Sequence, residues 1–180
     1  MRGRLFMLDR KVRTPFNFFI RFLGMSIIVG FLFYLVLELL QLDQLLSKVL
    51  PISNYYLKFT INLILGIAIG VLLLRFSVKQ TFIYNALRGT DVKRVLIYYT
   101  FVLVILLTAS IVSTVTPINL ELYKFSAEFL KISVSALIII EIGGQAISYI
   151  ISIYFLGKFL KQGAENGKFV NENIHNEQAL

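Results

Sequence analysis

The sequence predicts an all-α integral membrane protein: a bundle of four transmembrane helices with both termini cytoplasmic. Three observations predict it. Apolar side chains make up 57% of the 180 residues, against about 45–50% in a soluble domain even when glycine is counted with them. The mean hydropathy is +0.78, and the apolar residues come in four blocks instead of being spread along the chain. The 18 Lys and Arg residues flank those blocks unevenly. The blocks lie at about 20–42, 57–76, 95–115 and 132–156, within a membrane domain at 20–160. Each reaches the roughly 20 residues needed to cross about 30 Å of hydrocarbon. The runs are continuous and not alternating, so helices rather than barrel strands satisfy their backbone groups in lipid.

Residues 1–19 form a basic arm in which Leu5, Phe6, Met7 and Leu8 sit among Arg2, Arg4, Arg10, Lys11 and Arg13. Such an arm orients the first span, and it also suits a short helix lying on anionic headgroups. The first block exceeds the roughly 7–15 apolar residues of a cleaved signal, so it reads as a retained span. Arg21 opens it and Glu38 lies near its far end, with Asp43 beyond. Both acids are within reach of the interface. Gly24, Ser26 and Gly30 give the span a small-residue side.

The second block carries Asn62, Gly66 and Gly70 at intervals of four, and "GIAIG" is a Gly-x-x-x-Gly motif. This motif serves close helix packing, within the bundle or in a homodimer. The connection "RFSVKQTFIYNALRGTDVKRV" reads as a helical extension of the second span, stopped at Gly89. Thr90 or Asp91 then caps the third helix. That helix brings Thr108, Ser110 and Ser113 into its outer half. "SKVLPISNYY" and "TPINLELYKFSAEFLK" read as short connections, with Pro51 and Pro117 close to helix ends. Tyr55, Tyr56, Tyr98 and Tyr99 fall near predicted interfaces, where an amphipathic ring is stable.

The fourth block contains "LIIIEIGGQAIS". Glu141, Gln145, Ser148 and Ser152 follow at intervals of 4, 3 and 4, along one side of a helix. Lipid solvates that side poorly, so it is expected to face the other helices. Gly143 and Gly144 would let a neighbouring backbone approach. At about 1.5 Å per residue, Asn62, Thr108 and Ser110 lie near the depth of Glu141. The expected intramembrane polar cluster is therefore Glu141, Gln145, Asn62, Ser110 and Ser148, with Gly66, Gly70, Gly143 and Gly144 as packing positions. An ionisable residue inside a membrane is a functional candidate by default. Structural hydrogen bonding, ion or substrate coupling, and contact with a partner's span all remain open for Glu141. Residues 161–180 form a polar tail, expected to lack fixed structure.

Fourteen of the 18 basic residues lie in the first arm, the connection between spans two and three, and the tail, counting Arg21 and Lys158 at the adjoining span ends. An excess of Lys and Arg marks the cytoplasmic side. The net charge of +8 is spread around span ends, which fits a membrane surface better than direct nucleic-acid binding. There is no cysteine, and His175 is the only histidine. Thiolate and histidine metal clusters, and Ser-His-Asp catalysis within the membrane, are thereby excluded. No phosphate loop, Gly-x-Ser-x-Gly or His-Glu-x-x-His motif is present. No enzyme activity, cofactor or metal is expected.

The segment "NALRGTDVKRV" between spans two and three, and "GKFLKQGAENGKFVNEN" after span four, carry a resemblance. Phe159, Gly163 and Glu172-Asn173 are its landmarks in the tail. In these features the chain resembles a family of uncharacterised bacterial four-span membrane proteins, a domain of unknown function. The resemblance implies a membrane partner for a small helix-turn-helix regulator, because such genes often lie side by side. The expected function is that of a non-enzymatic accessory or regulatory subunit of the cell membrane, engaging a cytoplasmic or membrane partner through its basic inner face. The alternative is a small transporter or channel subunit with Glu141 as the coupling or selectivity residue.

Overall fold

The computed structural model describes residues 14–39 and 55–178. The basic arm at 1–13, Asp43 and Pro51 lie outside the described residues. Five helices and no β-strand are formed among those described. They are α1 (Pro15–Leu39), α2 (Tyr55–Tyr84), α3 (Val92–Thr114), α4 (Pro117–Leu130) and α5 (Val134–Gln178). All but α4 are long and apolar enough to cross a membrane. No more than 11% of any span's most apolar window is buried within the protein. Phe31, Leu72, Ile97, Phe101 and Ile150 are all exposed, as suits a multi-pass bundle whose flanks meet acyl chains.

Around the bundle the spans follow the order α1, α2, α5, α3. The helix α5 makes the most extensive contacts, with α2 and α3, and α1 closes the ring against both. Consecutive α2 and α3 therefore stand across the diagonal. The link between them includes a 3₁₀ turn at Gly89–Asp91 that touches α5.

The hydrophobic core lies at one end. It gathers Phe18, Phe19 and Phe22 from α1; Leu74, Val78 and Phe82 from α2; Leu87 from the link; Val92 and Val95 from α3; and Leu156, Leu160 and Ala164 from α5. Phe18 and Phe82 meet with ring centroids 5.0 Å apart. This is the end that carries Arg21, Arg75, Lys79, Arg88, Lys93, Arg94, Lys158 and Lys161, and it is called the basic end below. Measured from Tyr55, Arg75 comes after about 30 Å of helix, roughly one hydrocarbon thickness. The core thus lies toward one end of the four apolar helices, with all its residues but Leu87 still within the stretches long and apolar enough to span. Packing there rests on side-chain fit between the helices.

Three buried polar side chains of α2 and its exit are satisfied at this end. Ser77, Thr81 and Asn85 are buried in sequence along α2 and just past it. The Ser77 hydroxyl donates to the Leu73 carbonyl at 2.9 Å, and the Thr81 hydroxyl to the Ser77 carbonyl at 2.8 Å. Asn85 donates to the Thr81 carbonyl at 3.1 Å and accepts from Arg21 Nη1 at 3.2 Å. An arginine of α1 is thereby tied to the exit from α2.

Several boundaries differ from the expectation. The helix α2 does extend past residue 76, but it ends at Tyr84 and not at Gly89. No described glycine has a positive φ. Asn85 ends the helix instead, its side chain taking a carbonyl in the last turn. Asp91 does stand at the N-cap of α3, without a side-chain capping bond. Its carboxylate faces Arg94 at 3.9 Å. The supposed connection at 117–130 is the helix α4, started by Pro117 and ended by Lys131 at φ 55. There the Ile132 and Lys131 amides close back on Ala127 and Glu128 at 3.0 and 3.2 Å, a Schellman-type stop made without glycine. The tail is also not separate, since α5 continues to Gln178.

Candidate functional site

At the end opposite the core, α3, α4 and α5 enclose an open polar cleft of about 320 Å³. Three segments build it. The last two turns of α3 supply Ser110, Ser113 and Thr114; α4 supplies Asn119, Tyr123 and Ser126; α5 supplies Glu141, with Leu122 and Leu137 as apolar walls. Asn119 holds α4 against the end of α3, donating to the Ser113 carbonyl at 2.9 Å and to Ser113 Oγ at 2.8 Å. Ser133, just ahead of α5, accepts from the Ala136 amide at 3.2 Å, an N-cap contact that starts the helix carrying the acid.

Glu141 is half-buried in this cleft. The Tyr123 hydroxyl donates to Glu141 Oε2 at 2.7 Å, an ordinary O–H···O length. That bond is the main cause that pushes the Tyr123 hydroxyl up to about 12, followed by burial and the nearby Glu141 and Tyr55 groups. Tyr123 therefore remains a donor throughout the physiological range. Among the described residues no group of three acidic or histidine side chains is placed to hold a metal ion. Chemically, the cleft offers one carboxyl fixed at one oxygen, with hydroxyl and carboxamide groups around it. It can hold a proton, or a cationic or multiply hydroxylated solute.

The residues expected to form the polar cluster are only partly brought together. Ser110 and Glu141 share the cleft. Asn62 and Gln145 are exposed, because matching depth does not make two helix faces point at one another. The Ser148 hydroxyl instead donates to the Gly144 carbonyl of its own helix at 2.9 Å. Thr108 does likewise with Val104 at 2.8 Å. Tyr123 was missed because its segment read as a connection.

The packing glycines also need correction. A Cβ added at Gly66, Gly70 or Gly143 would meet nothing within 4 Å, so the Gly-x-x-x-Gly face makes no close contact in this chain. Gly144 does: an added Cβ would lie 2.8 Å from Phe59 Cζ. Gly163 is the counterpart at the basic end, where the Phe82 ring occupies the space of the missing side chain. Thus α2 docks onto α5 through one phenylalanine–glycine contact toward each end.

No family model, curated protein or solved structure matches the chain. Its function is therefore read from this geometry.

Proposed function

We propose that the protein is a non-enzymatic accessory or regulatory subunit of a bacterial cell membrane, with its termini and basic end in the cytoplasm. The observation that carries the proposal is the coincidence of core and charge. The only concentrated hydrophobic packing among the described residues lies beneath the exposed cations Arg88, Lys93 and Arg94. A surface fixed in this way meets a partner without paying to order itself, the advantage of preorganisation. The partner is an acidic protein surface; a small helix-turn-helix regulator is the candidate that the family resemblance supplies. Charge reversal at Lys93 and Arg94 is expected to abolish co-purification of such a partner from mild detergent while leaving the melting temperature unchanged. Undiminished co-purification would remove the proposal.

The cleft at Glu141 favours a second reading, a small transporter or channel subunit. A carboxyl that lines an open polar cavity is accessible to solute, whereas one sealed in a dry contact is not. On this reading Glu141→Gln abolishes flux in proteoliposomes without loss of fold, and normal flux in that variant ends the idea.

A further inference from the structure

A second cleft, of about 340 Å³, lies between α2 and α5 at the basic end. Arg75 and Lys79 form one side of it, one helical turn apart. Phe82, Ile83 and Phe159 supply apolar surface, and Gln162 a carboxamide. The close seat of the Phe82 ring on Gly163 draws the two helices together at this point. No carboxylate lines the cleft, and neither cation has an ion-pair partner among the described residues.

The same face of α2 continues toward mid-span as a different surface. Ile64, Ala68 and Leu72 precede Arg75 and Lys79 at intervals of 4, 4, 3 and 4, which keeps them in one row. Ile64 is 61% exposed and Leu72 64% exposed. This row is apolar for about 12 Å and then cationic at the depth where hydrocarbon gives way to headgroups. We propose that this row and the α2–α5 cleft form a binding site for an anionic phospholipid. Its phosphate lies between Arg75 and Lys79, an acyl chain runs along Leu72 and Ile64, and Gln162 hydrogen-bonds the headgroup. Charge complementarity selects the anionic class, and the apolar continuation selects a lipid over free phosphate. The site depends only on the bundle lying in a bilayer, not on which side the basic end faces or on the partner proposed above.

The test is native mass spectrometry of the full chain in mild detergent, titrated with phosphatidylglycerol and with phosphatidylcholine of matched chains. Each cation near the surface contributes about a fivefold preference, so the pair gives roughly 30-fold for the anionic lipid. Arg75→Gln and Lys79→Gln are each expected to lower it about fivefold, and together to abolish it. The Lys93→Gln/Arg94→Gln variant retains it, since those cations lie outside the cleft. Both target side chains are exposed, and an unchanged melting temperature separates lost binding from lost fold. Equal retention of both lipids, full preference in the double variant, or displacement of the bound lipid by millimolar inorganic phosphate overturns the proposal.

Discussion

The two ends of the bundle are built from similar side chains and held together differently. At the basic end, aromatic and aliphatic residues from four helices close into a core. At the opposite end, the helices enclose an open polar cleft that Leu122 also lines, and α4 exposes Ile118, Leu122, Phe125 and Phe129. The basic end closes by apolar packing, whereas the opposite end is tied by hydrogen bonds from Asn119 to Ser113 and from Tyr123 to Glu141. Apolar content alone therefore does not locate the core of such a protein.

The strongest way to break this contrast is to cut the same side chain at both levels. Phe22 is fully buried in the core and Phe31, on the same helix, is 60% exposed. Phe22→Ala is expected to cost about 3–5 kcal/mol, whereas Phe31→Ala stays within about 0.5 kcal/mol. Thermal unfolding in detergent reads both, and equal losses would dissolve the distinction.

A smaller effect separates the glycines. Gly163→Ala drives a methyl group into the Phe82 ring, with an expected cost of about 1–3 kcal/mol. Gly66→Ala meets open space and, in a helix interior, is expected to be neutral or to stabilise by up to about 1 kcal/mol. A destabilised Gly66→Ala in dilute micelles would show that this face packs on another molecule.

The smallest effect tests the cleft. Tyr123→Phe removes the hydroxyl that Glu141 accepts from, with a loss of about 0.5–1.5 kcal/mol. The hydroxyl's pKa is raised by folding, from 10.0 to about 12. Its contribution is accordingly complete below pH 10 and disappears as pH rises through about 12. The variant should lack that alkaline decline, read from melting temperatures between pH 9 and about 12. Identical profiles would mean that the bond contributes nothing in solution.

The spans were legible because lipid imposes a one-dimensional requirement: about 20 apolar residues in a row. What was not legible depends on rotation about helix axes. Gly143 and Gly144 are adjacent in sequence, yet only Gly144 meets α2. Asn62 was placed near the depth of Glu141, but it is exposed. The signal for α4 was present in the spacing of Ile118, Leu122, Phe125 and Phe129 at 4, 3 and 4. Glu121, Lys124 and Glu128 interrupt it, which made the segment read as a connection. Losing α4 also lost Tyr123 and hence the hydrogen-bond partner of the acid. The core was hidden for another reason. Phe18 was assigned to the arm, ahead of the expected span, while α1 begins at Pro15.

The uninterrupted length of α5 has a mechanical consequence. Its 45 residues extend about 68 Å, and the helix is gripped at Leu156 and Leu160, both fully buried. Glu141 stands about 25 Å to one side of that grip and Gln178 about 30 Å to the other. The Glu141 side is held a second time, where the Phe59 ring meets Gly144, so α5 joins a half clamped inside the bundle to about 27 Å of helix that runs on from Leu160 to Gln178.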